Sequence, residues 1–163
     1  MATSQSITKV GVIGCGLMGS GIAEVCARSG NDVVVVESTD SAAAAGLDRL
    51  QRSLQRAQAK GRIDSAAEVL ERITIGADLQ ALSDRELVVE AVAEDEQLKT
   101  SIFSALDEIV ESPDAILASN TSSIPIMKLA VATQRPDSIL GVHFFNPVPV
   151  LSLVELVPSL MTS

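Results

Sequence analysis

Aromatic residues and cysteines are scarce in this chain of 163 residues. It has no tryptophan and no tyrosine, so valine, isoleucine, leucine and alanine must form the core, as in a layered α/β domain. The two cysteines, Cys15 and Cys26, are too few for a disulfide framework, which favours a reducing, cytoplasmic setting. The apolar share of 47% is enough for the core of one domain, which we expect to span residues 1–163.

Long apolar runs, a leader peptide and excess positive charge are also missing. No run approaches the roughly 20 apolar residues that cross a bilayer, so we expect no membrane partner. The first residues, MATSQSITKV, lack the basic start and apolar centre of a signal peptide. The net charge of −9 argues against nucleic acid as a partner. We expect no metal site.

Segments rich in β-branched residues alternate with helical segments along the chain. The expected strands, in chain order, are ITKVGVIG, DVVVVE, ITIGA, RELVVEAV, AILASN, SILGVHFF and LSLVELV, the last as a seventh strand or a final extended segment. This alternation predicts a Rossmann-type, doubly wound α/β fold with a mainly parallel sheet and helices on both faces. The helical stretch after the second strand, residues 41–72, is longer than a crossover needs, and we expect a helical insertion that stands off the sheet.

A glycine-rich turn joins the first predicted strand to the first predicted helix. Gly14, Gly16 and Gly19 form the pattern G-x-G-x-x-G in GCGLMG. Gly14 allows a tight turn, Gly16 lets the backbone approach a pyrophosphate, and Gly19 lets the helix pack close to the strand. The free N–H groups and positive dipole end of the helix then face the phosphates. The turn therefore predicts dinucleotide binding.

Glu37 ends the second predicted strand, 18 residues after Gly19. A carboxylate at this place accepts hydrogen bonds from both hydroxyls of an adenosine ribose and repels a 2′-phosphate, which favours NAD over NADP as the cofactor. The alternative is a glutamate that faces solvent at a strand end. Leu17 and Met18, inside the glycine turn, are included in the predicted cofactor site.

Polar groups in the second half of the chain follow two later strands. The segment ASNTSS places residues 119–123 after the fifth strand, where ligands bind in open parallel sheets. His143, the single histidine, lies near the end of the sixth strand and so projects at the same edge. Taken alone, ASNTSS is an ordinary polar turn and His143 a core histidine. If the last two strands face each other, Glu155 can hold one ring nitrogen of His143 and leave the other as a base for an alcohol proton.

Positive charge is concentrated in one helical stretch of this acidic chain. Arg49, Arg52, Arg56 and Lys60 follow one another at steps of three, four and four residues, which places them on one broad helix face. One interpretation is a solvated helix face. The other is a local binding site for an anionic ligand.

Five segments together resemble the NAD-dependent L-3-hydroxyacyl-CoA dehydrogenases, a family that includes bacterial 3-hydroxybutyryl-CoA dehydrogenases. The resemblance covers nearly the whole chain, and the segments that carry it are GVIGCGLMGSGIA, DVVVVE, LVVEAVAED, ILASNTSS and GVHFFNPVPVLSLVEL. The resemblance implies an oxidoreductase that interconverts (S)-3-hydroxyacyl-CoA and 3-ketoacyl-CoA with NAD. It also implies short-chain substrates, such as 3-hydroxybutyryl-CoA and acetoacetyl-CoA, and a role in the β-oxidation steps of fatty-acid metabolism.

The resemblance also implies catalytic roles for single residues. His143 matches the catalytic base of the family, and Glu155 matches the carboxylate paired with it. Ser122, 21 residues before the histidine, matches the serine that hydrogen-bonds the 3-oxygen of the substrate. Glu94 and Lys99 match residues on the nicotinamide-ribose side of the cofactor, although the spacing from Glu94 to Ser122 is one residue longer here than in the family.

Further matches concern the contacts with the cofactor and the acyl-CoA. Asn146, in FFNP, matches an asparagine near both nicotinamide and substrate, so Asn146 and Ser122 are expected to touch both ligands. Ser53 and Lys60 match positions that touch the CoA moiety. The phosphates of CoA agree with the interpretation of the basic helix face as an anion site.

Members of this family continue past the last residue of this chain with a second, mostly helical domain. That domain supplies an active-site asparagine, closes over the substrate and forms a homodimer. The resemblance therefore predicts that this chain is the NAD-binding domain without its C-terminal helical domain. An apolar surface around VPVLSLVELV is then expected to be exposed and to favour self-association.

Two other functions remain as alternatives. An isolated NAD-binding module would bind NADH without transferring hydride. A free 3-hydroxyacid dehydrogenase shares the glycine turn but relies on a lysine base from a later helix, and the His143–Glu155 pair and the basic helix argue against it.

Overall fold

The structure, a computed structural model, describes residues 6–163. Its strands are β1 (Lys9–Ile13), β2 (Asp32–Val36), β3 (Ile73–Gly76), β4 (Leu87–Glu90), β5 (Ile116–Ser119), β6 (Ile139–Phe144) and β7 (Val154–Pro158). Its helices are α1 (Leu17–Arg28), α2 (Asp40–Ala59), α3 (Ala66–Leu70), α4 (Glu96–Ile109) and α5 (Ile126–Ala130), with short 3₁₀ turns at Leu79–Leu82 and Pro136–Ser138.

One sheet of seven strands organises the chain, in the order β3-β2-β1-β4-β5-β6-β7. Strands β1 to β6 are parallel, and β7 runs antiparallel to β6. The order reverses beside β1, between the β1–β2 and β1–β4 pairs, where doubly wound folds form their ligand crevice. The Rossmann-type fold predicted from the alternation of strands and helices is confirmed.

Successive residues of the central strands pack on opposite faces of the sheet, because side chains alternate along a strand. Val12 belongs to a buried cluster that includes residues of α1, α2 and α3. Its neighbour Ile13 belongs to a second cluster, which includes residues of α4 and α5. Apolar residues at adjacent positions of each central strand therefore reflect burial on both faces.

Helix α2 does not stand off the sheet, so this part of the sequence prediction is wrong. Leu50 and Leu54 are fully buried and join Val33 and Val35 of β2 in one cluster. The helix is the first part of the crossover from β2 to β3, which α3 completes, and the side chain of Thr39 caps its start by accepting the N–H of Ala42. The basic residues around these leucines obscured an apolar stripe with helical spacing.

Strand β7 forms one outer edge of the sheet, and all five of its residues are exposed. The apolar surface expected around VPVLSLVELV is confirmed, with Leu156 exposing 67% of its area. We call this region the β7 surface. Its apolar members are Val150, Leu151, Leu153, Val154, Leu156 and Val157.

Both cysteines are free thiols, and burial raises the pKa of each to about 11. Neither is therefore a reactive thiolate near neutral pH. In residues 6–163 no helix has both the length and the apolarity to cross a bilayer. The expectation that MATSQSITKV is not a signal peptide rests partly on residues 1–5, which lie outside the described residues.

The burial of α2 leads to a stability prediction. Leu54→Ala is expected to lower the free energy of unfolding by about 2–5 kcal/mol, because it leaves a cavity in the buried cluster that α2 shares with the sheet. Gln55→Ala, at the next and exposed position, should change it by less than about 0.5 kcal/mol. Urea unfolding followed by circular dichroism compares the two. Equal midpoints for both variants would contradict the packing of α2 on the sheet.

Candidate active site

The glycine turn has the geometry that its sequence predicts. Gly14 has a φ of +90°, which favours glycine. A Cβ on Gly19 would lie 1.9 Å from the carbonyl oxygen of Gly14, so only glycine lets α1 approach the turn this closely. A Cβ on Gly16 would meet no atom within 4 Å. The backbone at Gly16 thus faces open space, as required for a pyrophosphate at the N-terminus of α1.

Glu37 lies beside this turn at the end of β2. Its carboxylate accepts hydrogen bonds from the backbone N–H of Cys15 at 2.6 Å and of Ser38 at 3.0 Å. A cavity of about 540 Å³ opens here, lined by Gly14, Gly16 and Glu37 together with apolar residues that follow β3 and β4. Apolar walls with one carboxylate suit the adenosine of a dinucleotide.

A second cavity, of about 370 Å³, lies beyond the ends of β4, β5 and β6. It brings together six of the predicted site residues, which are Met18, Glu94, Lys99, Ser122, His143 and Asn146. Leu17 is exposed at the start of α1 and lines neither of these two cavities. Ser53 and Lys60 also line neither cavity. Ser53 lies on α2, and Lys60 is the C-cap of that helix.

His143 and Glu155 are direct cross-strand partners in the β6–β7 pair. The Nδ1 atom of His143 lies 2.9 Å from Oε2 of Glu155. With Nδ1–H donated to the carboxylate, Nε2 carries the lone pair and is free to accept a proton. The ring of Phe145 packs against the imidazole, with 4.6 Å between the ring centroids. Two strands and one aromatic ring thus orient the imidazole.

The loop after β5 is tied to the end of β6. The side-chain oxygen of Asn120 accepts the backbone N–H of Phe144 at 2.8 Å. This bond fixes the segment that carries Ser122 relative to the strand that carries His143. Ser122 itself is exposed at the rim and lines the same cavity as His143.

A buried ion pair lies beneath this cavity, and it includes a residue that the sequence analysis did not single out. Glu90 is fully buried at the end of β4, and both of its oxygens lie within 3.0 Å of Nζ of Lys99. The same carboxylate accepts the hydroxyl of Ser119 at 2.6 Å and the N–H of Val92 at 2.7 Å. The available signal was an acid that ends a buried apolar strand, since such a carboxylate needs a partner.

Glu94 extends this network towards the surface. It accepts hydrogen bonds from the hydroxyls of Thr121 and Ser123 and lies 3.1 Å from Nζ of Lys99. Partial burial acts to raise the pKa of Glu94, but the bonds from Thr121, Lys99 and Ser123 outweigh it and lower the pKa to about 2. Glu94 is therefore a carboxylate acceptor at neutral pH.

The predicted basic face of α2 does not act as one surface. Arg49 turns towards the glycine turn, with Nη1 2.6 Å from the carbonyl oxygen of Cys15. Arg52 is exposed and pairs with Asp48 on the same helix. Arg56 and Lys60 are exposed at the C-terminal end of α2. Only this distal part remains available for an anion bound outside the cofactor site.

The acidic and histidine side chains of the site are hydrogen-bonded within the protein. Among the described residues, no group of three or more histidine, cysteine or acidic side chains is arranged to hold a metal ion. The polar groups at the sheet edge instead suit hydrogen bonds to an organic ligand.

The parallel sheet, the open glycine turn and the carboxylate at the end of β2 define a Rossmann-type dinucleotide-binding domain. Residues 9–163 match the family model described as 3-hydroxyacyl-CoA dehydrogenase, NAD binding domain. The chain belongs to this family, and its cofactor is NAD.

Several known proteins and solved structures are similar to this chain. The chain is 55% identical over 161 residues to a 3-hydroxybutyryl-CoA dehydrogenase of Mycobacterium tuberculosis (strain ATCC 25618 / H37Rv), covering 98% of this chain and 56% of that protein. The crystal structure of M. tuberculosis FadB2 superposes with a TM-score of 0.95 at 54% identity and covers 98% of this chain and 56% of its own. That of (S)-3-hydroxybutyryl-CoA dehydrogenase from Ralstonia eutropha has a TM-score of 0.92 at 44% identity, covering 97% and 56%. The chain thus spans about half the length of the curated relatives it matches.

The lowered pKa of Glu94 predicts an acid-dependent loss of stability. A carboxylate with a folded-state pKa of about 2 and an ordinary value of 4.5 stabilises the fold above pH 4.5, and this contribution is lost as the pH falls towards 2. The melting temperature of Glu94→Gln should therefore lie below that of the unmodified chain at pH 6, and the difference should shrink as the pH falls. Thermal melts from pH 6 downwards measure it. Glu108→Gln, at an exposed acid of α4, serves as the control and should show no such trend.

The buried pair of Glu90 and Lys99 predicts that removing only the lysine charge destabilises the fold more than removing both charges. Lys99→Met leaves the Glu90 carboxylate buried without its cation and should cost about 3–5 kcal/mol of stability. Glu90→Gln combined with Lys99→Met removes both charges and should recover part of this loss. Urea unfolding of the three variants, including Glu90→Gln alone, closes the cycle. A double variant less stable than Lys99→Met would contradict the assignment.

Proposed function

We propose that this domain carries the cofactor site and the proton-transferring base of an enzyme that interconverts (S)-3-hydroxyacyl-CoA and 3-ketoacyl-CoA with NAD. The observation that carries the proposal is the His143–Glu155 pair, 2.9 Å apart, beside a cavity that also contains Ser122 and Asn146. The names of the relatives support a short-chain substrate, 3-hydroxybutyryl-CoA or acetoacetyl-CoA. We further propose a role in the β-oxidation steps of fatty-acid metabolism.

The base chemistry follows from the orientation of the imidazole. When bound, NAD accepts the hydride that leaves carbon 3 of the hydroxyacyl group. His143 accepts the proton of the 3-hydroxyl at Nε2, and Glu155 stabilises the imidazolium that forms. In the reverse direction the same nitrogen returns the proton. Ser122 donates a hydrogen bond to the 3-oxygen and so positions it near the imidazole.

The remaining predicted residues orient the cofactor. We assign Gly14, Gly16 and Gly19 to the pyrophosphate turn, with Leu17 and Met18 at the adjoining start of α1. Glu37 takes the adenosine ribose. Glu94 and Lys99 bind on the side of the nicotinamide ribose, where the lowered pKa of Glu94 keeps it an acceptor for hydroxyls. We assign Asn146, which lines the same cavity as His143, to the junction of cofactor and substrate.

We propose that the CoA moiety binds along the C-terminal half of α2, with Ser53 and Lys60 as contacts. A cavity of about 610 Å³, bounded by the end of α1, by α3 and by residues that follow α2, supports the proposal, although its lining includes neither Ser53 nor Lys60. It is lined by three arginines, Arg28, Arg62 and Arg72, together with two acids and an apolar wall from the loop before β7. A mixed basic and apolar lining suits a ligand with phosphates and an uncharged pantetheine arm.

The proposal also concerns the cellular location of the enzyme and its binding partners. The free cysteines support a reducing cytoplasm, and the net charge of −9 supports a small-molecule substrate and not nucleic acid. The exposed β7 surface supports a homodimer in which a further domain covers it.

A non-catalytic NAD-binding module is the second candidate. The observation that favours it is that the cavity beside the glycine turn and Glu37 does not include His143, so cofactor binding does not require the base. The two candidates differ in hydride transfer and share NADH binding. A free 3-hydroxyacid dehydrogenase is the third, and acetoacetate in place of acetoacetyl-CoA distinguishes it.

The base assignment predicts a specific loss of turnover. His143→Gln should lower the rate of NADH oxidation with acetoacetyl-CoA by roughly 10²–10⁴, because the proton has no acceptor or donor. The affinity for NADH should change by less than about threefold, since His143 lies on β6 and the adenosine cavity does not include it. Absorbance at the NADH band and NADH fluorescence titration measure the two effects.

Glu37→Ala is the matched control and should show the opposite pattern, with weakened NADH binding. If the unmodified chain binds NADH but shows no turnover with acetoacetyl-CoA, the non-catalytic module is the better description. If turnover occurs and His143→Gln retains it, the base is wrongly assigned.

A further inference from the structure

Arg49 is the one residue of the basic stretch that reaches the cofactor turn. Its Nη1 donates to the carbonyl oxygen of Cys15 at 2.6 Å, whereas Arg52, one turn further along α2, pairs with Asp48. A guanidinium has five N–H groups. In the described part of the chain this single bond is the only side-chain hydrogen bond of Arg49. Most of its donors are therefore available to a ligand at the turn.

The approach of Arg49 is imposed by close packing of α2 on the turn. A Cβ on Gly46, three residues earlier on the helix, would lie 2.7 Å from Sγ of Cys15. The helix can come this near only because Gly46 has no side chain. Arg49 then lies on the same helix face, at the distance from which its guanidinium reaches the Cys15 carbonyl.

Glu37 holds the other side of the same peptide segment. Its Oε1 accepts the N–H of Cys15 at 2.6 Å, so a carboxylate and a guanidinium flank one residue of the turn. Both charges act on the Cys15 thiol: burial is the main cause of its raised pKa, Glu37 raises the pKa further and Arg49 lowers it. Within residues 6–163 the two side chains form no ion pair with each other, so neither charge cancels the other by direct contact.

This arrangement bears on the choice between NAD and NADP. The two cofactors differ by a phosphate on the 2′-oxygen of the adenosine ribose, the group that a carboxylate at the position of Glu37 contacts. A phosphate there is repelled by the carboxylate and attracted by a nearby arginine, which binds phosphate through paired N–H donors. Selectivity combines an attractive and a repulsive element. Here Glu37 is the repulsive element and Arg49 the attractive one, and both contact the backbone of Cys15.

We propose that Arg49 is a second determinant of dinucleotide selectivity: it attracts the 2′-phosphate of NADP, and the repulsion of that phosphate by the carboxylate of Glu37 outweighs this attraction. The proposal concerns cofactor binding and is independent of the reaction proposed above. It implies that selectivity for NAD depends on a single carboxylate, because the positive charge needed for NADP is already in place.

The test measures dissociation constants for NADH and NADPH by fluorescence titration. The chains are the unmodified protein, Glu37→Gln, Arg49→Gln and the double variant. Glu37→Gln should bind NADPH at least roughly tenfold more tightly than the unmodified chain, because the repulsion is gone while the arginine stays. Adding Arg49→Gln should reverse this gain by roughly tenfold, while NADH affinity changes by less than about threefold between the single and double variants.

The controls separate charge recognition from damage to the turn. Arg52→Gln in the Glu37→Gln background should leave NADPH binding unchanged, since Arg52 faces Asp48. In the background with Glu37 intact, Arg49→Gln should weaken NADPH binding more than NADH binding, which tests the proposal even if Glu37→Gln folds poorly. The proposal is overturned if the double variant binds NADPH as tightly as Glu37→Gln. It is also overturned if Arg49→Gln weakens both cofactors equally, because Arg49 would then only hold the turn.

Discussion

The buried pair of Glu90 and Lys99 joins the elements that form the site. The carboxylate ends β4 and the ammonium comes from the first turn of α4, while Ser119 at the end of β5 donates to the same carboxylate. Two strand ends and one helix are therefore fixed at the sheet edge by one charge pair. Burial of both charges is costly unless each is fully bonded, so the pair strongly disfavours alternative placements of the loops above it. The ion pair therefore positions the loop after β5 together with Glu94 and Ser122.

The two halves of the site are assembled by different means. On the side of β1 and β2, close backbone approach decides the geometry, because Gly19 and Gly46 let helices reach the turn. On the side of β6 and β7, strand register decides it, because antiparallel pairing places His143 opposite Glu155. Close approach suits an extended anionic cofactor, whereas register suits a single base whose tautomer must be fixed.

Local sequence patterns were enough to predict the sheet, the glycine turn and the acid at the end of β2, whereas the exposed surface of the last strand was expected from the resemblance to the family. These features depend on short periodicities and on residues with special backbone properties, such as Gly14 and Gly19. The packing of α2 was missed because its apolar stripe is made of few large residues between many charged ones. Glu90 was missed because its partner Lys99 is on another element, and only the tertiary fold brings the two together. Arg49 was grouped with its neighbours for the same reason.

The position of Glu155 on β7 makes the surroundings of the His143 imidazole depend on the edge of the sheet. Glu155 lies on an edge strand whose residues are all exposed, four strands along the sheet from β1, which leads into the glycine turn. The loop that joins β6 to β7 also packs on α1, the helix that follows the glycine turn, because a Cβ on Gly21 would lie 2.7 Å from Cβ of Val148. The edge of the sheet and the glycine turn are therefore linked through this loop. A shift of β7 would reach the start of the cofactor-binding helix as well as the imidazole.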